Sequence, residues 1–146
     1  MNLLILGDIM GSSGRRALSN KLPDLIETNK IDFVIINGEN ASDDGRGITQ
    51  EIAEEFFKIG VDVITSGNHI WDKKEILDFI EKENRLLRPA NLAIGSPGKG
   101  YKIYFSKDKK FKIGVINLMG NVFMRKTEDV FKTANEICNK IRLKKD

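Results

Sequence analysis

A single cysteine, Cys138, and a single histidine, His69, stand among 146 residues. The first scarcity excludes an intrachain disulfide and a cysteine-built metal site. The second excludes a mononuclear three-histidine zinc site made from this chain alone. No apolar run approaches the roughly 20 residues of a membrane-spanning helix. Charge of one sign is nearly balanced, with 24 basic and 21 acidic side chains giving a net +3. That is far from the concentrated basic stripe of a dedicated nucleic-acid binder. The start, Met1 to Leu6, is apolar but short, lacks a basic leader and runs into Gly7-Asp8, so it reads as a strand and not as a signal core. Together these absences predict one cytoplasmic domain over residues 1–146, with no membrane partner and no dedicated nucleic-acid site.

What is present in the first half is an alternation of strand and helix patterns. Asn2 to Leu6 reads as a strand, and Gly11, Ser12, Ser13 and Gly14 as a turn before a helix carrying Leu18, Leu22 and Leu25. Pro23 within that helix predicts a kink or a division. The continuous apolar run Phe33 to Ile36 suits a strand covered on both faces, as parallel sheets require. Thr49 can cap a helix containing Ile52, Phe56 and Ile59, with Gly60 ending it. Val61 to Thr65 forms the third strand, and Asp72 with Glu75 has the spacing of a capping box for a helix holding Ile76, Leu77 and Ile80. After Arg88 a loop rich in glycine and proline leads to two strands, Tyr101 to Phe105 and Phe111 to Leu118, expected as a hairpin added to the parallel sheet. A final helix carries Val130, Ala134, Ile137 and Ile141 on one face, with Lys140, Arg142, Lys144 and Lys145 around it and Asp146 at its end.

Glycine-flanked acids and amides recur where the strands end: Gly7-Asp8, Gly38-Glu39-Asn40 and Gly67-Asn68-His69. In an open α/β sheet the carboxyl ends of parallel strands share one rim, and ligands bind in the crevice outside it. Asp8 is then either an oxygen ligand for a hard or borderline metal or a turn and cap residue. Glu39 has two oxygens, enough to bridge cations about 3.5 to 4 Å apart, and Asn40 and Asn68 add amide oxygens. His69 can ligate a metal or stand beside one as a proton donor. Elsewhere, Trp71 and Phe123 either stack on a base or are buried against a helix. Arg88 either holds a phosphate oxygen or is a surface charge, and Cys138 reads as inert packing.

The ordered set Gly7-Asp8-Ile9-Met10-Gly11, Asn37-Gly38-Glu39-Asn40-Ala41, Gly67-Asn68-His69-Ile70-Trp71-Asp72 and Arg88-Pro89-Ala90-Asn91 resembles the YmdB-like branch of the calcineurin-like metallophosphoesterases. Pro97-Gly98-Lys99-Gly100 and Ile116-Asn117-Leu118-Met119-Gly120 extend the likeness over nearly the whole chain. The resemblance implies a phosphodiesterase with two divalent or trivalent transition metal ions, iron or alternatively manganese, acting on cyclic nucleotides or related phosphodiesters. Carried across by motif, Asp8, Glu39 and Asn40 bind one metal, Glu39 and Asn68 the other, and His69 is the proton donor. Members of the branch are longer, and their continuation brings further strands and three histidine ligands. The expected fold is therefore a truncated calcineurin-like α/β architecture, with a mainly parallel sheet, flanking helices, a hairpin and one exposed sheet edge. Such an edge predicts self-association or a complementary fragment as partner. The alternative function is an inactive remnant or an interaction module that needs a complementary chain.

Overall fold

The computed structural model describes residues 1–124 and 126–143; the expectations for Lys144, Lys145 and Asp146 lie outside the described residues. Four parallel strands, β1 (Leu3–Asp8), β2 (Phe33–Asn37), β3 (Val63–Thr65) and β4 (Leu86–Leu87), pair in chain order. Alternation along each strand divides the apolar side chains between two faces. Leu4 and Leu6 of β1, Val34 and Ile36 of β2, Ile64 and Leu86 join one core cluster, shared with helix residues such as Leu22, Phe56 and Ile80. Phe33, Val63 and Leu87 point the other way into a second cluster. Register is regular from Leu3 opposite Phe33 to Leu6 opposite Ile36, then slips so that Asp8 lies opposite Asn37. The extra residue is Gly7, and a bulge of this kind re-aims the side chain that follows it.

Helices α1 (Gly11–Thr28), α2 (Gln50–Lys58) and α3 (Ile76–Lys82) cover the first face. Thr49 caps α2 as expected, its Oγ1 accepting the Ile52 N–H at 3.2 Å, and Gly60 follows its end with φ +104°. In three places the helices depart from expectation. Helix α1 starts at Gly11, so the Gly11 to Gly14 segment is its first turn, and it continues undivided through Pro23. The proline removes one backbone bond, but Leu18 and Leu22 on the inner stripe are buried and packing holds the helix together. Helix α3 begins at Ile76, four residues after Asp72, because the Asp72 carboxylate is bonded to His69 and not to a helix end.

A further correction concerns the hairpin. Strands β5 (Tyr101–Phe105) and β6 (Lys112–Ile116) pair antiparallel in a sheet of their own and are not added to the parallel one. Their inward residues Tyr104, Ile113 and Val115 stack on Phe33, Val63 and Leu87. Covering that apolar face removes more surface from water than extending the sheet sideways would. Helix α4 (Val130–Leu143) lies outside the hairpin, with Ile137 buried and Ile141 against Gly114. The layers are thus helix, sheet, hairpin and helix. The hairpin leaves β1 uncovered on this side, where Leu3 is 40% and Ile5 65% exposed. On its outer edge β1 pairs with no strand among the described residues.

Buried amides and one arginine fix the loops at the rim. Asn117 donates from Nδ2 to the carbonyls of Ser66 and Leu87 at 2.8 and 2.9 Å, tying β6 to the ends of β3 and β4. Arg88 is half-buried and not a surface charge. Its guanidinium donates to the carbonyls of Pro89, Pro97 and Ser96, and partial burial holds its pKa below the usual arginine value. Cys138 is exposed, not packed. Among the described residues no helix is long and apolar enough to cross a membrane.

Candidate active site

The three strand-end clusters meet along one rim. Backbone bonds align the loops there: Ile9 N–H to Asn37 O at 2.9 Å, Gly11 N–H to Asn40 O at 2.8 Å and Gly38 N–H to Thr65 O at 2.9 Å. Within this frame Asn40 Nδ2 donates to Asp8 Oδ2 at 2.9 Å. One residue earlier, the Glu39 backbone N–H donates to Asn37 Oδ1 at 2.9 Å, which fixes the direction the chain takes into the loop. The Glu39 carboxylate lies directly over Gly67, where a Cβ would overlap it. Its Oε1 accepts the backbone N–H of His69 at 3.3 Å. A side chain at 67 would displace that carboxylate, and the close approach brings the second cluster onto the third.

Asn68 is exposed and borders two cavities. One, of about 360 Å³, it shares with Glu39; the other, of about 560 Å³, it shares with His69. His69 is partly buried, and its Nδ1 lies 2.7 Å from Asp72 Oδ2. That contact fixes the ring and leaves Nε2 as its free nitrogen. The structure thus links Asp8 to Asn40, links Glu39 to Gly67 and the His69 N–H, and sets Asn68 on a cavity with Glu39 and on another with His69. Asp8 and Asn40 border neither of the two cavities, and sit on the open flank of the rim.

The donor set fits a hard or borderline cation. Two carboxylates and two amides offer oxygen, the preference of magnesium, manganese and iron over softer metals. Asn40 at present turns its NH₂ to Asp8; a half-turn about χ2 presents Oδ1 in the same place. The Glu39 carboxylate occupies the space a Cβ at position 67 would fill, and its Oε1 has one backbone donor. No cluster of three or more histidine, cysteine, aspartate or glutamate side chains able to hold a metal occurs among the described residues. The site is consequently amide-rich and short of charge.

Three residues near the site were missed or misread from sequence. Asn91, fully buried, accepts the Met119 N–H at Oδ1 and donates from Nδ2 to Met119 O at 2.7 Å, Thr127 Oγ1 at 3.1 Å and Glu128 O at 3.2 Å. It pins both feet of the loop that walls the two cavities. Asp72, assigned to a cap, orients His69 instead. Phe123, for which burial was one expectation, is fully exposed, whereas Trp71 packs against the helix-side core.

The sequence matches the YmdB-like protein family over residues 4–146. It is 44% identical over 137 residues to the 2′,3′-cyclic-nucleotide 2′-phosphodiesterase of Bacillus subtilis strain 168, an alignment covering 94% of this chain and 51% of that protein. Two crystal structures share the fold. A hypothetical protein from Thermus thermophilus superposes with a TM-score of 0.85 at 34% identity, covering 94% of this chain and 52% of its own. A phosphatase from Mycoplasma pneumoniae superposes with a TM-score of 0.83 at 33% identity, covering 99% and 51%. The chain spans about half the length of the curated relatives it matches. With its strand-end residues gathered on one rim and this family matched over nearly its full length, the chain belongs to the YmdB-like family.

Proposed function

We propose that this chain carries one side of the active site of a metal-dependent phosphodiesterase acting on cyclic nucleotides or related phosphodiesters. The observation that carries the reading is the position of Glu39, whose carboxylate lies over Gly67 and accepts the His69 N–H, while Asn40, the next residue of the same loop, bonds Asp8. Asp8, Glu39 and Asn40 would hold one cation, and Glu39 with Asn68 a second, iron or alternatively manganese. Such a pair, when bound, supplies charge stabilisation at the phosphoryl oxygens and a water of lowered pKa. The chain itself supplies the proton. Asp72 holds Nδ1 of His69, so that Nε2 delivers a proton to the departing oxygen as the P–O bond breaks. Glu39 and Asn68 line one cavity, which would receive the phosphate end, and the loop pinned by Asn91 walls it.

The Bacillus subtilis relative, named for 2′,3′-cyclic nucleotides, supports this substrate class. A test is hydrolysis of 2′,3′-cyclic AMP with Mn²⁺ or, without oxygen, Fe²⁺. The chain is assayed alone and mixed with the portion of the Bacillus subtilis relative that it does not cover. Turnover abolished by Glu39→Gln is expected; neither metal binding nor turnover in either mixture overturns the proposal.

The absence of a cluster of three charged or imidazole ligands among the described residues favours a second reading, a module that binds but does not turn over by itself. In that reading the exposed Leu3 and Ile5 face and the open edge of β1 receive a complementary polypeptide or a second copy. Substantial turnover by the isolated chain, lost in His69→Ala, would contradict it.

A further inference from the structure

We infer that the cavity beside His69 receives the base of a nucleotide, with Phe123 as the stacking face. The inference deepens the phosphodiesterase reading and rests on it for the place of the phosphate. The cavity measures about 560 Å³, within the range of small-molecule sites of roughly 300 to 1,000 Å³. His69, Trp71 and Phe123 all line it.

Phe123 is unusual in three respects that agree. Its ring is fully exposed although it borders the cavity. Its backbone has φ +59°, a left-handed conformation that a bulky side chain rarely adopts. And the loop that carries it is held at both ends by the buried Asn91, so the ring is presented from a fixed base. Arg46 and Lys126 line the same cavity and have no side-chain hydrogen bond or ion pair to the described residues. An uncovered aromatic face together with cations unpaired among the described residues, on a cavity that His69 also lines, is the complement of a molecule that is flat and apolar at one end and anionic at the other. Stacking tolerates any base, because every base has a π-face, so Phe123 gives preference for a nucleotide over a simple phosphodiester without selecting among bases.

Adenosine 5′-monophosphate and ribose 5-phosphate differ only in the base and separate this contribution from phosphate binding. Their affinities for the full chain in Mn²⁺ buffer are measured by calorimetry, with the fluorescence of Trp71, the single tryptophan, as local reporter. The nucleotide is expected to bind about 10-fold tighter or more, the size of one stacking contact. Phe123→Leu removes that advantage and leaves ribose 5-phosphate unchanged, whereas Phe123→Trp keeps it. Equal affinity for the two probes, no binding of either, or a base preference that survives Phe123→Leu overturns the inference. Base-dependent binding without hydrolysis in any mixture would instead reject the catalytic reading and leave this one standing, and hydrolysis without base preference would do the reverse.

Discussion

Replacing Gly67 by alanine isolates the contact on which the site depends. The added methyl would overlap the Glu39 carboxylate, whereas ordinary contact at a Cβ begins near 3.4 Å. The carboxylate must therefore retreat by roughly 1 Å, since a core-like contact cannot be compressed by that much. Backbone strain does not enter, because Gly67 is not among the glycines with positive φ. Stability should change by less than about 1 kcal/mol, with the reduced entropy of the unfolded chain offsetting local adjustment. Affinity is different: a ligand displaced by about 1 Å is expected to weaken Mn²⁺ binding by roughly 10- to 100-fold. Electron paramagnetic resonance of free Mn²⁺ during titration reads this directly, and thermal unfolding monitors the fold in parallel. An alanine variant that keeps both its melting temperature and the parental Mn²⁺ affinity would refute the placement of Glu39 as a metal ligand.

Asn91→Ala leaves the Met119 N–H and the Met119 and Glu128 carbonyls without their buried amide partner and should cost about 2 to 4 kcal/mol. Differential scanning calorimetry should show it as a fall of roughly 5 to 15 °C in Tm. Asp72→Asn keeps the shape beside His69 but not the charge-assisted contact at Nδ1, so kcat should fall about 10- to 100-fold while metal affinity stays unchanged. Burial raises the pKa of Asp62, against the donated Val34 N–H and the nearby Lys107 and Arg85, which lower it. The folded state therefore binds this proton more tightly than the unfolded one, and the group favours folding less as pH rises through that raised value. Denaturant unfolding should find Asp62→Asn more stable than the parent at pH 7, by less than about 1 kcal/mol given its partial exposure, with the gain vanishing below roughly pH 4. Ile5→Lys on the uncovered face of β1 should reduce any concentration-dependent association seen in sedimentation without lowering Tm; unchanged association would place the contact elsewhere.

Periodicity made the three longer parallel strands and the Thr49 cap legible, because a run such as Phe33 to Ile36 and a threonine before an apolar stripe each have one local solution. The hairpin strands were legible but their placement was not. Tyr104, Ile113 and Val115 state that one face is apolar, and say nothing of whether it extends a sheet or stacks on one. Strand β4 spans Leu86–Leu87 alone, too short for any period to show. Pro23 misled because a local rule was outweighed by the burial of Leu18 and Leu22. Of the rim, Asp8, Glu39, Asn40, Asn68 and His69 stood out as glycine-flanked polar residues after apolar runs. Asn91 and Asn117 entered only as members of the family motifs, without a role, since an asparagine in a loop looks the same in sequence whether it makes a turn or clamps one. Their signal was spacing from the strand ends, which only the fold converts into contact.

The account stands on one shared cation site formed by residues that are distant in sequence. Crystals of the chain grown with Mn²⁺ and measured at the manganese absorption edge test it most directly. Anomalous density is expected within about 2.0 to 2.5 Å of oxygen atoms from Glu39 and from Asp8, Asn40 or Asn68. Density confined to other surface carboxylates, with these side chains arranged as they are here and no peak among them, would contradict it.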